Sequence, residues 1–270
     1  MTGVEERLVW YVAYGSNMHA ARLAWYIGGG CPPGGRRTYP GCRDPRPPSR
    51  SVPVTLPGGI YFAGESRAWT GGMAFYDPQL PGTAAARAYL VTVEQFTDIA
   101  AQEMYRPAGD PARRLAPQSA AGAPGLVPAA GAGGLVPAVG AGGLVSAVGA
   151  GGLVSAAGAG GLVPAAGAAI DAAVADGRAT LGPGRYETLV CPGQHRGVPL
   201  LTFTAPQPAS AVPHRPPAPL YLGMIARGLH ESHGWPAERI ADYLTGRPGV
   251  ADGWSPDAVT ALVVEVLAAS

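Results

Sequence analysis

The segment Val9-Trp10-Tyr11-Val12-Ala13-Tyr14 ends abruptly in Gly15-Ser16-Asn17, and it constrains the fold more than any other part of the chain. An apolar run rich in aromatic and β-branched residues is a buried strand. Gly15 lets the backbone turn sharply, and Ser16 or Asn17 is placed to cap a helix immediately after it. Beyond the turn, Met18, Ala21, Arg22, Leu23 and Trp25 carry a helical pattern. A strand that breaks into a helix at such a turn aims free backbone N–H groups at one point, a seat for a carboxylate or carbonyl oxygen. Taken alone, a tetrapeptide of this kind is more often an ordinary capped turn, so its meaning depends on the residues downstream.

Composition removes several function classes. The 270 residues are 47% hydrophobic, enough for one large domain or two small ones, and the formal net charge is +1. The basic residues are scattered, without the basic-aromatic modules of a nucleic-acid binder. All 19 of them are arginine, so neither a Schiff-base lysine nor a phosphate-loop lysine is available. The three cysteines, Cys31, Cys42 and Cys191, form no close pairs of the kind that build a disulfide framework or a zinc site. Cys31 and Cys42 share a loop and are able to pair in an oxidising setting, but a reduced cytoplasm is the simpler expectation. No signal peptide is visible, and no uninterrupted apolar run reaches about 18 residues, so no membrane span is expected. No metal and no organic cofactor is expected either. His230 and His233 lie three apart rather than four and lack a third ligand. Ser16 lacks the Gly-x-Ser-x-Gly setting of a hydrolase nucleophile.

Two stretches interrupt the pattern. Residues 28–50 are dense in glycine, proline and arginine and read as a long irregular loop. Further on, Leu126, Leu135, Leu144, Leu153 and Leu162 recur every nine residues, each followed by Val, then Pro or Ser, then Ala. Calcium-binding nonapeptide repeats need an aspartate in each unit, and no acidic residue occurs between Asp110 and Asp171. Gly and Pro density opposes a stable helix, so residues 112–168 are expected to form a flexible, weakly apolar insertion.

The remainder reads as a compact set of elements. Short strands are expected at 59–63, 72–76 and 86–91. Thr92 then caps a helix, with Gln95 three residues on and Phe96, Ile99, Ala100 and Met104 on the apolar face. Residues 186–190 and 199–204 read as a hairpin around a polar turn at 193–197. Helices are expected over 220–231, from Trp235-Pro236 to Gly246, and from Ser255-Pro256 onward. This order predicts an α+β fold, a small mixed β-sheet or barrel with flanking helices. One domain over 1–250 is expected, interrupted by the insertion at 112–168, with residues 251–270 as a C-terminal helix.

At this point the chain resembles the gamma-glutamylcyclotransferase-like family. Tyr14-Gly15-Ser16-Asn17 resembles its signature turn, and Trp69-Thr70-Gly71-Gly72-Met73-Ala74 its next strand entry. Arg87-Ala88-Tyr89-Leu90-Val91, with Phe96 and Gln102-Glu103 after it, is similar to its strand and helix ending in an acidic residue. Arg185 to Val190 resembles a later strand, and Leu220 to Leu244 the closing helices. The resemblance implies an intramolecular aminolysis, in which the α-amine of a γ-glutamyl group attacks its own γ-carbonyl, closes 5-oxoproline and releases an amine. It places Glu103 as the acid/base, with Tyr14, Gly15, Ser16 and Asn17 as the cradle, and requires no cofactor or metal. Its implied partner is a small γ-glutamyl or related amide. One carboxylate can make both proton transfers if partial burial raises its pKa. Glu94 and Glu187 compete for the acidic role, and Tyr105 and Tyr186 are candidate pocket walls or hydroxyl donors. Phe203 stands where the family often carries a tyrosine. Two alternatives stay open: a non-catalytic binder of small carboxylates, and an amide hydrolase or deacylase.

Overall fold

The computed structural model describes residues 6–32, 37–66, 68–104 and 163–269. Strand β1 (Leu8–Ala13) forms as the apolar run predicts and is buried along all but its first residue. After a 3-10 turn at Ser16–Met18, helix α1 runs over Ala20–Gly28. Strands β2 (Arg50–Pro57), β3 (Gly59–Ala63), β4 (Met73–Asp77) and β5 (Thr83–Thr92) precede helix α2 (Val93–Glu103). The described chain resumes with helix α3 (Val163–Asp176) and strands β6 (Arg178–Thr180), β7 (Thr188–His195) and β8 (Val198–Thr204). Helices α4 (Pro219–His233), α5 (Ala237–Thr245) and α6 (Pro256–Ala268) close it.

The fold is α+β. Six strands form one mixed sheet in the order β2-β5-β1-β8-β7-β6, and β3 and β4 form a separate hairpin. β1 lies at the centre, antiparallel to β5 and parallel to β8. That position explains its continuous hydrophobicity, since a central strand covered on both faces has no polar side to present. Among the described residues the strand order is linear, so the sheet does not close into a barrel. The β3-β4 hairpin is tied to β8 through Thr204, whose Oγ1 accepts from Tyr76 N at 3.0 Å and donates to Tyr76 O at 2.7 Å.

Helix α2 begins with the predicted capping box. Thr92 Oγ1 accepts from Gln95 N at 3.0 Å, and Gln95 Oε1 accepts from Thr92 N at 3.2 Å. Its apolar face, Phe96, Ile99 and Ala100, is fully buried. The box fixes where the helix starts, and its length of 11 residues then fixes where Glu103 ends up.

Several expectations need correction. β2 extends the sheet edge in a stretch read without a strand, its two prolines tolerated because an edge strand has one unpaired side. The short β6 was likewise not expected. Tyr186 and Glu187 precede β7 instead of belonging to it. Tyr186 takes φ 61°, a left-handed conformation incompatible with a strand. The β7-β8 connection is a two-residue turn at Arg196-Gly197, with φ of 53° and 77°, the geometry that matches strand twist. Residues 163–168 lie in helix α3, although they were expected to close the flexible insertion. That helix tolerates Pro164 in its first turn and is anchored by Ile170 and Ala173, both fully buried. The rest of the insertion, with all five repeat leucines, lies outside the described residues. Within 251–270, helix α6 covers Pro256–Ala268, and its Val259 and Val263 are buried in the same core as α4 and α5.

Candidate functional site

The end of β1, the turn after it and the last residue of α2 meet at one small cavity of about 50 Å³. Tyr14, Gly15, Ser16, Asn17, Glu103 and Tyr186 all line it. Space on that scale takes a small polar head group or on the order of four waters.

The central contact joins two residues 86 positions apart. Asn17 Nδ2 donates to Glu103 Oε1 at 2.9 Å and to Tyr11 Oη at 3.1 Å. The carboxylate can only accept, which fixes the amide with its nitrogen toward Glu103 and its oxygen the other way. Asn17 is 4% exposed, and Glu103 is half-buried. The turn is held from behind: Tyr89 Oη donates to the carbonyls of Asn17 and Met18 at 3.0 and 2.9 Å, and Tyr14 Oη donates to Phe203 O at 2.8 Å. Gly15 sits close to helix α4: a Cβ there would lie 3.1 Å from the Tyr221 hydroxyl, which would have to give by a few tenths of an ångström.

Ser16 and Asn17 do not cap α1, as they were expected to. The cap position is His19, and no side chain of the turn bonds the helix end. Asn17 is drawn instead to Glu103 and Tyr11. The first helical amide, Ala20 N, is served from outside by Glu231 Oε2 at 3.1 Å, a carboxylate from α4. A charged acceptor at a helix N-terminus complements both the free N–H and the dipole.

Phenols ring the cavity. Burial pushes the pKa values of Tyr11, Tyr14, Tyr26 and Tyr186 well above the ordinary tyrosine range, and Glu103 adds to the rise at Tyr11, Tyr26 and Tyr186. They are therefore neutral hydrogen-bonding groups at any physiological pH. Tyr186 contributes a wall rather than a free hydroxyl, because its Oη donates to Ala74 O at 2.9 Å. Phe203 stacks on Tyr11 with centroids 5.5 Å apart. Tyr105 lies outside the described residues. Of the competing acids, Glu94 pairs with Arg43 at 3.5 Å and Glu187 Oε2 accepts from Gly184 N at 2.8 Å, and neither lines the cavity.

Sequence reasoning missed Tyr11, Tyr26, Trp69 and above all Arg22. Burial pulls the Arg22 pKa down, but the phenols of Tyr26 and Tyr39 and the Glu103 carboxylate more than offset this, so it is raised and the cation is permanent. The one available signal was an arginine inside the apolar helix Ala20–Gly28 with no acid a turn away. Cys31, Cys42 and Cys191 are thiols, and Cys31 and Cys42 are not joined in a disulfide. Among the described residues no helix is long and apolar enough to cross a membrane.

No known protein-family profile matches the chain. Over 99 residues it is 38% identical to histone deacetylase 5 of Arabidopsis thaliana, a match that takes in 35% of this chain and 15% of that protein's length. Among solved structures, a gamma-glutamyl cyclotransferase is similar at 12% identity and a TM-score of 0.37, over 96% of this chain and 99% of the other. An uncharacterized protein from Homo sapiens is similar at 12% identity and a TM-score of 0.38, with the same coverage. TM-scores below 0.5 do not by themselves establish a shared family.

Proposed function

We propose that the protein cleaves a γ-glutamyl or closely related small amide by intramolecular cyclisation, releasing 5-oxoproline and an amine, in a cytoplasmic setting. The observation that carries this reading is the 2.9 Å bond from Asn17 to Glu103. It joins the turn and the acid that the sequence resemblance nominated independently, at the wall of one cavity.

In this reading Glu103 takes a proton from the substrate's α-amine as that nitrogen attacks the γ-carbonyl carbon. The new C–N bond closes the five-membered lactam, and the original amide C–N bond breaks. Glu103 returns the proton to the departing nitrogen, so no proton is left over and no cofactor takes part. A positioned carboxylate in this double role contributes typically 10²–10⁴-fold. Asn17 holds the carboxylate in place, and the amides at Gly15–Asn17 are the candidate donors for carbonyl or carboxylate oxygens. Enclosure of a short substrate beside Tyr11, Tyr14 and Tyr186 supplies the folded geometry that brings amine to carbonyl.

The test is mass spectrometry of the purified protein with a panel of γ-glutamyl amines and peptides, alongside Glu103→Gln. Wild type is expected to release 5-oxoproline and the variant to lose about 10²-fold or more. Release of free glutamate in place of 5-oxoproline would indicate hydrolysis. Absence of any product from wild type, with ligand still bound, would indicate a carboxylate-binding protein instead.

A further inference from the structure

Helix α1 brings to the cavity a cation that the proposed cyclisation does not use. Arg22 is 5% exposed and lines the cavity. Its guanidinium lies 5.1, 4.7 and 5.3 Å from the ring centres of Tyr26, Tyr39 and Trp69, and Nη2 donates to the Tyr39 hydroxyl. Three aromatic faces hold the charge in one place without neutralising it. Among the described residues Nε has no hydrogen-bond partner, although it is fully buried. The contrast within the same fold is Asp98, equally buried, which is met by Arg43 at 3.2 Å.

A second orphan belongs to Asn17, which lines the same cavity. Asn17 Nδ2 serves Glu103 and Tyr11, which leaves Oδ1 buried and without a partner. Buried polar atoms are paired in the large majority of cases, and leaving one unpaired is costly, the more so where charge is involved. Here two unpaired atoms of opposite sense, a cationic donor and a neutral acceptor, belong to residues that line one space of about 50 Å³ together with the Glu103 carboxylate. The complementary ligand presents an anionic oxygen and an N–H group.

We propose that Arg22 is the specificity residue of this site: its Nε donates to a carboxylate of the substrate while Asn17 Oδ1 accepts from the neighbouring amine. The site therefore selects amides whose acyl part ends in an α-amino-acid head group. This rests on the cavity being the substrate site of the proposed cyclisation, and it assigns the carboxylate to a side chain rather than to the backbone turn alone. The three aromatic rings also explain why arginine is needed. A planar guanidinium stacks between ring faces and still offers Nε edge-on, which an ammonium does not.

The experiment is a binding titration that does not depend on turnover. L-glutamine, 4-aminobutanamide (the same amide without the carboxylate) and glutaramate (without the amine) are titrated into wild type, Arg22→Gln and Arg22→Lys. Binding is followed by calorimetry and by the fluorescence of Trp69, which lies against Arg22. Wild type is expected to prefer L-glutamine over 4-aminobutanamide by about ten-fold or more, the worth of one hydrogen bond to a charged group. Arg22→Gln should bind the two alike, and Arg22→Lys should keep a reduced preference. A folded Arg22→Gln protein that retains the full preference overturns the assignment. So does a wild type that binds none of the three, or does not distinguish them, a result no folding defect can mimic. If the preference tracks Arg22 but no 5-oxoproline is ever released, the reaction fails and the specificity stands. If 5-oxoproline is released while the preference ignores Arg22, the reverse holds.

Discussion

Substituting alanine for Gly228 should disturb the site from behind, without touching any group that lines it. Helix α4 presses at this residue on Met18 and His19, immediately after the Tyr14–Asn17 turn. A Cβ on Gly228 would lie 2.5 Å from Met18 Cβ, 2.8 Å from His19 N and 2.9 Å from the Met18 carbonyl carbon, where ordinary contact begins at 3.4 Å. Something must move by just under an ångström, and the neighbours are backbone atoms and a Cβ fixed to them, not the loose end of a side chain. The turn has little freedom to retreat. Met18 is fully buried, and its carbonyl is held by Tyr89 at 2.9 Å and Arg87 at 3.2 Å. Overpacking of this kind costs about 1–3 kcal/mol, and a backbone clash belongs at the upper end. Alanine recovers about 1 kcal/mol of helix propensity. The net loss is about 2 kcal/mol, a Tm lower by roughly 4–8 °C for a domain of this size. A shift of Met18 also displaces Asn17 from Glu103, so ligand binding and turnover should fall together, turnover by about ten- to a hundred-fold. Gly223 on the same helix is the internal control. There a Cβ meets only the Val266 side chain on α6, with Cγ2 nearest at 3.0 Å and no backbone atom within 4 Å, so the clash is milder. Thermal unfolding and binding titrations on both variants decide the matter. If Gly228→Ala matches Gly223→Ala in Tm and in ligand affinity, close approach of α4 does not position the turn.

Other expectations rest on single contacts. Thr92→Ala removes the capping box that starts α2 and should lower stability by about 1 kcal/mol in urea titrations; an unchanged midpoint would mean that packing of Phe96 and Ile99 alone sets the helix. Glu231 has its pKa raised by burial but lowered further by hydrogen bonds from Arg87, His19 and Ala20 N, so it stays below the usual glutamate range. Its stabilising effect is therefore complete above the reference value of 4.5 and disappears as pH falls through the lower folded value. Glu231→Gln should flatten the acid limb of stability below that pH, and superimposable wild-type and variant curves would refute the coupling.

Much of the scaffold is legible in the chain. β1 is visible because a strand buried on both faces is apolar throughout, and α2 because Thr92 and Gln95 make a local, self-contained start signal. Tyr186 was misplaced because a left-handed tyrosine carries no local signature; its conformation is held by the packing of Phe75 and Phe203 around it. β2 was missed because an edge strand with two prolines looks like the loop beside it.

The site divides along the same line. Tyr14, Gly15, Ser16, Asn17 and Glu103 were nominated from the sequence, the turn because a strand that breaks into a helix is a local pattern, and Glu103 through the resemblance to the gamma-glutamylcyclotransferase-like family. The distance between Asn17 and Glu103 is decided by strand order, which sets β1 beside β5 and so carries α2 back over the turn. Arg22 belongs to the second category, apart from the faint signal of an arginine in an apolar helix without an acid. In sequence it is one arginine among many, and only the closing of α1 against Tyr39 and Trp69 makes it a buried cation. Local patterns record which residue types a segment needs; the charge that a cavity presents depends on which distant groups are packed around it and which of them are left unpaired.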